Sequence, residues 1–192
     1  MHKIKALVLF VILTFSSFSL LANEAELSLN DDTVKIAGQF NMGGFDLEAS
    51  ILHNQDRGNV LGLGAMLYGD AGAEGLNAGV GLKLAYVDPD IDGVSILNIS
   101  EPSGTGLALG GKVTYIPADY NRFNARAYLW FAPDVLAFDK LSRYQEIGGD
   151  VGYNITRNAD VFVGYRNVKG KFKDFGTGTI DTGLHFGIRG RF

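Results

Sequence analysis

Apolar and polar residues alternate one by one along most of this chain, and this period of two limits the fold more than any other feature. In the clearest stretch, Asp181–Phe192, every second residue from Thr182 is apolar or small, and the residues between them are Asp, Gly, His and Arg. The same split recurs in Leu76–Tyr86 and Phe123–Phe131. Because successive side chains of a β-strand point to opposite faces, each stretch predicts a strand with one apolar face.

Ten segments share this pattern. They are Glu24–Leu29, Val34–Phe40, Phe45–His53, Leu61–Gly69, Leu76–Tyr86, Thr105–Tyr115, Phe123–Phe131, Gln145–Ile155, Asp160–Asn167 and Asp181–Phe192. Most have about nine to eleven residues, the length that a tilted strand needs to cross a bilayer. The sequence therefore predicts an all-β fold, a closed antiparallel transmembrane β-barrel of about ten strands, with about eight to twelve also compatible.

A soluble sandwich or lipocalin-like barrel would alternate as well, but two features favour the membrane barrel. The polar faces of the strands are rich in Gly and charge, which suits a narrow lumen filled by side chains. Aromatic residues also concentrate near strand ends, as expected of the girdles at the two membrane interfaces. These residues are Phe40, Phe45, Tyr86, Tyr115, Phe123, Phe131, Tyr153 and Phe192.

The links between predicted strands alternate in length. Those after the second, fourth, sixth and eighth strands are short, whereas Val87–Gly104, Ala132–Arg143 and Val168–Ile180 are longer. Short periplasmic turns and longer outer loops are typical of outer-membrane barrels. Apolar residues at every third position in Ala132–Leu141, after Pro133, predict a helical turn that lies on the lipid interface or folds over the barrel mouth.

The N-terminus has the three parts of an export signal. A basic start with Lys3 and Lys5 precedes an apolar run that continues to the small Ala22. The run is long enough for a signal-anchor helix, but its Ser-rich tail and Ala22 favour cleavage after Ala22. We therefore predict a signal peptide over residues 1–22 and a single barrel domain over residues 23–192.

Composition excludes several classes of function. Without the two lysines of the signal, 15 basic residues (17 − 2) remain against 21 acidic ones, a formal net charge of −6. This balance gives no electrostatic footprint for nucleic acid. The absence of cysteine excludes disulfides and thiolate metal sites.

Charged residues on the inward faces of neighbouring predicted strands suggest a ladder of ion pairs that closes the lumen. The proposed ladder comprises Arg122, Arg126, Glu146, Asp150, Asp160 and Arg166. Further inward charges are Lys83, Lys112, Arg189 and Arg191, with Asp46 and Glu48 facing them. Long Arg side chains, Tyr128 and Trp130 would fill the space that inward glycines leave, so we expect little or no conduction.

One acidic stretch could hold a metal ion. Asp88, Asp90 and Asp92, followed by Gly93, match the opening of a calcium loop, but Ile99 stands where the loop needs Glu. A solvated acidic loop is the favoured interpretation, and Ca²⁺, or Mg²⁺ shared with lipopolysaccharide, is the alternative. No other cofactor is predicted. His185 points to the predicted lumen with no serine-hydrolase motif beside it, so an enzyme is not favoured.

Several motifs resemble those of one known family. Tyr86-Val-Asp-Pro89, Ala132-Pro133-Asp134, Tyr144-Gln145-Glu146 and Gly164-Tyr165-Arg166 are similar in order and spacing to the hallmarks of the YfaZ family of Gram-negative outer-membrane proteins. The resemblance covers most of the chain after the signal and is clearest from Lys83 onward.

The resemblance implies a bacterial outer-membrane location, reached through the periplasm, and leaves the activity open. The chain end also looks like the signal read by the barrel-assembly machinery, with His185, Gly187 and the terminal Phe192, although Gly190 stands where an apolar residue is usual. Expected partners are therefore outer-membrane lipid, lipopolysaccharide and, during biogenesis, that machinery.

Three functions remain open at this point. The favoured one is a small barrel, expected to be a monomer, with a structural or surface-interaction role and a largely filled lumen. The alternatives are a narrow porin-like diffusion channel for small solutes and, less favoured, an outer-membrane lipid-modifying enzyme.

The predicted signal peptide gives a direct test. We expect the exported protein to begin at Asn23 and to fractionate with the outer membrane, because signal peptidase would cleave after Ala22. N-terminal sequencing of the membrane-bound protein measures this. Retention of Met1, or recovery in the soluble periplasm, would contradict the prediction.

Overall fold

The computed structural model describes residues 22–90, 102–173 and 175–192. The predicted signal peptide, apart from Ala22, lies outside the described residues. The strands are β1 Glu24–Leu29, β2 Thr33–Asn41, β3 Asp46–Asn54, β4 Gly58–Asp70, β5 Leu76–Pro89, β6 Gly104–Tyr115, β7 Phe123–Ala132, β8 Ala137–Asp139, β9 Leu141–Asn154, β10 Ala159–Phe172 and β11 Gly176–Arg191. A short 3₁₀ helix, Asp134–Leu136, separates β7 from β8. In this part of the chain no helix is long and apolar enough to cross a membrane.

The strands close into an antiparallel barrel, which confirms the predicted fold. Strands adjacent in the chain pair with each other, including β5 with β6, except that β7 pairs with β9 and β8 pairs with β6. The barrel closes where β1 pairs with β11, from Glu24 opposite Arg191 to Leu29 opposite Phe186. Ten long strands thus form the wall, and closure leaves no free lateral edge over their paired lengths.

The segment between β7 and β9 belongs to the wall. β6 pairs with β7 up to Leu109 opposite Phe131, and β8 then takes over from Gly106 opposite Ala137. The 3₁₀ turn interrupts the strand, and after it the chain pairs again with β6. The predicted helical turn is therefore present, and because the residues after it bond to β6, it does not fold over the mouth. Val135 in the turn is 81% exposed, so its contact with the lipid interface stays a prediction.

The wall also extends further than expected where β10 and β11 pair. Val168–Ile180 was predicted as a loop, but β10 continues to Phe172 and β11 begins at Gly176. The pairing continues through a register shift after Val168 to Phe172 opposite Gly176. Phe172 and Ile180 are buried inside the barrel, and this burial explains why the segment extends the wall instead of forming a loop.

The two ends of the barrel differ. We call the end that carries both chain termini the terminal end, and it includes turns 42–45, 71–75, 116–122 and 155–158. The opposite end, the loop end, includes turns 30–32 and 55–57, the end of β10 at Phe172 and the start of β11 at Gly176. At the terminal end the Phe192 N–H donates to the Asn23 carbonyl oxygen at 3.0 Å, which ties the two termini together.

The outer face carries a belt of exposed apolar side chains. Members include Leu61, Leu63, Val80, Leu82, Leu84, Leu109, Val151, Val163, Leu184, Phe186 and Ile188. They come from six of the wall strands, β4, β5, β6, β9, β10 and β11, so they form a band and not a single patch. A band of this kind is what hydrocarbon chains solvate and water does not.

Apolar side chains, which we call the apolar plug, fill the lumen from the loop end, and one of them, Met66, lies toward the terminal end opposite Asp46. The plug comprises Leu52, Val60, Met66, Ala85, Val87, Ala108, Trp130, Ala132, Leu141, Tyr144, Val168, Phe172 and Ile180. Trp130, Leu141 and Val168 are at most 1% exposed. Side chains of this size fill a small barrel without leaving a pore.

Inward glycines make room for the large side chains opposite them. Trp130 pairs with Gly110, and Tyr128 pairs with Gly148. A Cβ at Gly110 would lie 2.6 Å from the Trp130 ring, and one at Gly148 would lie 2.5 Å from the Tyr128 hydroxyl oxygen. Because Cβ atoms do not approach other atoms so closely, each large side chain requires the glycine across from it.

The C-terminal residue has a structural role that can be tested. The Phe192 ring lies over Gly190, 3.4 Å from where a Cβ would be, so the ring supplies the apolar cover that Gly190 lacks. We expect deletion of Phe192 to lower the amount of folded barrel in the membrane fraction severalfold, measured by heat-modifiable gel mobility. Phe123→Ala, which removes another exposed aromatic side chain near the terminal end, is the control. Equal amounts of folded barrel from both variants would refute the role of Phe192.

Candidate functional site: the charged lumen

Charged side chains fill the half of the lumen nearest the terminal end. Along β9, β10 and β11 the inward residues change from apolar near the loop end to charged near the terminal end. The interior is therefore divided into two layers. The apolar plug lies toward the loop end, and three groups of ion pairs lie beside it or toward the terminal end.

The largest group, the terminal network, surrounds three arginines. Its members are Glu24, Glu26, Arg126, Asp150, Asp160, Arg189 and Arg191. Arg126 donates to Glu24 at 3.0 Å and also to Glu26. Arg189 donates to Asp150 at 3.0 Å and to Asp160 at 3.2 Å. Arg191 donates to Asp160 at 2.6 Å, so each arginine joins at least two carboxylates.

Glu146 is the centre of the second group. Its carboxylate accepts hydrogen bonds from Lys83 and, at 3.4 Å, from Lys35. The Tyr144 hydroxyl donates to it as well, at 2.8 Å. Glu146 is 2% exposed, so it binds two ammonium groups and a hydroxyl out of contact with bulk water. In the same layer Lys112 donates to Glu48 at 2.6 Å.

The third group lies near the loop end. The Arg166 Nε donates to Asp181 at 2.5 Å, and its Nη1 donates to the Ser28 hydroxyl at 3.1 Å. Asn30 and Thr33 donate to the other oxygen of Asp181, at 2.8 and 2.9 Å. This carboxylate therefore joins β10 and β11 to the β1–β2 hairpin.

Several of these pairs cross the lumen. Lys35 is on β2, Lys83 is on β5 and Glu146 is on β9, and none of these strands is adjacent to another in the sheet. Lys112 on β6 and Glu48 on β3 are likewise on non-adjacent strands. Such pairs hold opposite walls together, which hydrogen bonds between neighbouring strands cannot do.

The six residues of the predicted ladder are only partly brought together. Arg126 and Asp150 face each other on neighbouring strands and form an ion pair at 3.3 Å. Glu146, Asp160 and Arg166 are inward and paired, but their partners lie outside the predicted set. The arrangement is therefore a set of clusters that cross the lumen rather than a ladder along neighbouring strands.

Arg122 is a correction to that set. Its side chain is exposed and donates to the Tyr153 hydroxyl at 3.3 Å, outside the lumen. β7 begins only at Phe123, so Arg122 lies in the preceding turn, where the alternation of faces no longer applies. The observed clusters also contain residues that the predicted ladder did not include, among them Glu24, Glu26, Lys35 and Asp181. Alternation places them on inward faces, but their partners are far apart in the sequence.

The other predicted site residues lie apart from these clusters. Asp88 is half-buried at the end of β5 and Asp90 is exposed, while Asp92 lies outside the described residues. Among residues 22–90, 102–173 and 175–192, no group of three His, Asp or Glu residues could hold a metal ion. His185 is buried, and its Nδ1 has no hydrogen-bond partner in the described structure. Gly187 lies beneath the Phe162 ring, 2.4 Å from where a Cβ would be.

Fold, outer belt and charged lumen together define a membrane-spanning β-barrel with buried salt bridges. The whole chain, residues 1–192, matches the family model described as YfaZ precursor. The chain therefore belongs to the YfaZ family, as its motifs suggested.

Two solved structures are similar in outline. The first, described as KdgM porin, has 13% sequence identity and a TM-score of 0.44, over 88% of this chain and 98% of that one. The second, described as "Unveiling the Mechanism Behind the in-meso Crystallization of Membrane Proteins", has 10% identity and a TM-score of 0.40, over 89% and 83%. No curated protein matches the chain.

The contribution of the Glu146 cluster to the free energy of unfolding can be measured. Glu146→Ala would leave Lys35 and Lys83 buried without their carboxylate. Breaking a buried pair in this way costs about 3–5 kcal/mol, so we expect the free energy of unfolding in urea to fall by that amount. Glu74→Ala, in an exposed turn at 71–75, should change it by about 0.5 kcal/mol or less. Equally small effects of both substitutions would mean that the lumen charges are hydrated.

Proposed function

We propose that this protein is a closed, non-conducting barrel of the bacterial outer membrane with a structural or surface-interaction role. The terminal end faces the periplasm and the loop end faces outward, and the signal peptide directs export. The protein acts as a monomer in contact with outer-membrane lipid and lipopolysaccharide, and the barrel-assembly machinery inserts it. It is not an enzyme in this proposal.

One observation carries the proposal: the cavity at the centre of the charged layer has almost no free space. The cavity inside the charged layer, lined by residues such as Lys35, Glu48, Arg126 and Glu146, has a volume of about 30 Å³. This is room for about one or two water molecules. An ion would have to displace paired charges and then pass the apolar plug, where a charge is strongly disfavoured.

The arrangement of charges supports closure over conduction. In an open pore the charges would be screened, and the interactions would resemble surface pairs worth about 0–1 kcal/mol. Here Glu146, Asp160 and Arg189 are each at most 2% exposed and all are paired. Buried charges of this kind stabilise only one geometry, in which every partner is in place.

A narrow porin-like channel is the second candidate, and one feature favours it. At the terminal end a polar vestibule of about 250 Å³ is lined by residues such as Gln39, Asn77, Thr114 and Asn124. Solutes could enter this vestibule, which shares Glu24, Gln39, Lys112 and Arg126 with the small cavity above it. Rearrangement of the Arg126 pairs would then be needed for passage.

Single-channel recording of the refolded protein in planar bilayers separates the two candidates. We expect no stable current steps from the wild-type protein. The double variant Tyr128→Ala and Trp130→Ala removes two successive inward side chains and should produce small steps. The matched control, Leu129→Ala with Phe131→Ala, changes the outward face of the same strand and should stay silent. Stable steps from the wild type would support the channel instead.

A further inference from the structure

Basic residues concentrate on one sector of the outer surface near the loop end. Of the 15 basic residues (17 − 2) that follow the predicted signal peptide, seven form the salt bridges of the lumen and eight do not. Three of these eight lie in separate turns, Arg57, Arg122 and Arg157. The other five lie on β9 and β10 or next to their ends. Lys140 is at the edge of this group, and we call the remaining four the cationic patch: Arg143, Lys169, Lys171 and Lys173.

The outward face of β10 changes from apolar to cationic toward the loop end. Val163 and Tyr165 are 57% and 50% exposed, Asn167 follows, and Lys169 and Lys171 are exposed beyond it. This is the order expected where a strand leaves the hydrocarbon, because aromatic rings mark the interface and lysine ammonium groups reach past it. The cationic patch therefore lies at the level of lipid head groups.

Like charges lie directly opposite each other in the cationic patch. Lys171 of β10 is the register partner of Arg143 of β9, and both side chains are exposed on the outer face. Lys169 is on the same face, about 7 Å along the strand from Lys171. Like charges in directly opposite positions destabilise a sheet. An anion that binds between Arg143 and Lys171 would remove this repulsion.

Carboxylates of the described chain do not neutralise the centre of the patch. No salt bridge between described residues includes Arg143, Lys169 or Lys171. Asp134 and Asp139 are exposed in the adjoining segment, and they form no such salt bridge with these cations either. The patch thus differs from the lumen, where every cationic side chain is in contact with a carboxylate.

An aromatic ring orients the arginine of the patch. The Arg143 guanidinium lies over the Phe131 ring, 5.8 Å from its centroid, and Phe131 is 38% exposed on the outer face of β7. A contact of this kind fixes the position of a cation and leaves its charge in place. At the edge of the patch, Lys173 is fixed in a similar way, because its Nζ donates to the Asp139 carbonyl oxygen at 3.1 Å.

We propose that the cationic patch binds the phosphorylated head group of lipopolysaccharide. Arg143 and Lys171 hold one phosphate between them, since a guanidinium forms strong paired hydrogen bonds to phosphate. Lys169 and Lys173, on either side, extend the patch over about 13 Å along the strand. This span matches a head group with two phosphates better than a lipid with a single phosphodiester. The acyl chains lie along the apolar belt of the same two strands, where Ile147 is 45% exposed.

This inference rests on the outward orientation of the loop end proposed above, and it names a partner for the surface-interaction role. It does not depend on closure of the lumen, because the cationic patch is on the outer face of the wall. Lipid binding in detergent can therefore fail while the wild-type barrel still gives no current, and current steps can appear while lipid binding persists.

Native mass spectrometry of the refolded exported barrel tests the proposal. The probes are bisphosphorylated, monophosphorylated and phosphate-free lipid A with the same acyl chains, each added to the protein in detergent micelles. We expect one bisphosphorylated molecule per barrel, bound about five-fold more tightly than the monophosphorylated form and more than about ten-fold more tightly than the phosphate-free form. Equal binding of the three probes would overturn the proposal, because acyl chains alone would then explain it.

A phospholipid distinguishes lipopolysaccharide from anionic lipid in general. Dioleoyl phosphatidylglycerol, with one phosphodiester, should bind about five-fold more weakly than bisphosphorylated lipid A. Equal affinities for the two lipids would refute the assignment to lipopolysaccharide.

Matched double variants locate the site. Arg143→Gln with Lys171→Gln removes the two opposed cations and should lower the affinity for bisphosphorylated lipid A about ten-fold. Arg122→Gln with Arg157→Gln removes the same charge from exposed turns at the terminal end and should change the affinity less than about two-fold, because distant surface charges are screened. Equal losses in both double variants would show that net charge alone attracts the lipid, and the site would be wrong.

Lys171→Glu separates lipid binding from stability. It places a carboxylate opposite Arg143, so the urea midpoint of the lipid-free barrel should rise. Bisphosphorylated lipid A should raise the midpoint of the wild type, because it binds only the folded barrel, and this shift should be lost in the variant. A lower midpoint of the lipid-free variant, or an undiminished shift with lipid A, would contradict the proposed patch.

Discussion

The ion pairs that cross the lumen are the interactions on which the rest of this structure depends. A small barrel with charges on its inner face is stable only if those charges are paired, because their removal from water is costly. Glu146 meets this requirement with partners from two distant strands, Lys35 on β2 and Lys83 on β5. The pairs thereby set the distance between opposite walls, and the space that remains is too small for a pore.

Glycine and large side chains complement each other in the same way. Each inward aromatic residue needs room that only a glycine across the strand leaves, as Trp130 does opposite Gly110 and Tyr128 opposite Gly148. The glycines on the inward faces opposite these rings thus follow from the narrow lumen. Charges near the terminal end and apolar side chains near the loop end then form two successive barriers. The charged layer excludes apolar solutes, and the apolar layer excludes ions.

Much of this fold could be predicted from the sequence, because a period of two identifies both the strands and their inward faces. Strand ends were less certain. Arg122 was misplaced because the alternation was extended one residue before the predicted strand, which begins at Phe123 in the structure as well. Alternation also could not show that Phe172 and Ile180 extend a hairpin where a loop was expected. The 3₁₀ turn at Asp134–Leu136 was predicted as helical, but its place within the wall depends on pairing with β6.

The partners across the lumen could not be predicted, for a physical reason. Lys35 and Glu146 are 111 residues apart on non-adjacent strands, so their contact depends on the diameter of the barrel and on the stagger of its strands. Neither quantity is encoded locally. The short closure between β1 and β11 was equally hidden, because it results from the unequal lengths of these two strands once the barrel is closed.

Fluorescence quenching of Trp130 tests the closed lumen most directly. It is the only tryptophan in the chain, it is 1% exposed, and Lys83 lies over its ring at 5.8 Å. The account predicts blue-shifted emission and very weak quenching by acrylamide in the folded barrel. Substitution of Lys83 by Ala should increase the quenching, because water would enter beside the ring. Red-shifted emission in the folded wild-type barrel, with quenching close to that of the urea-unfolded chain, would show a hydrated lumen and contradict the account.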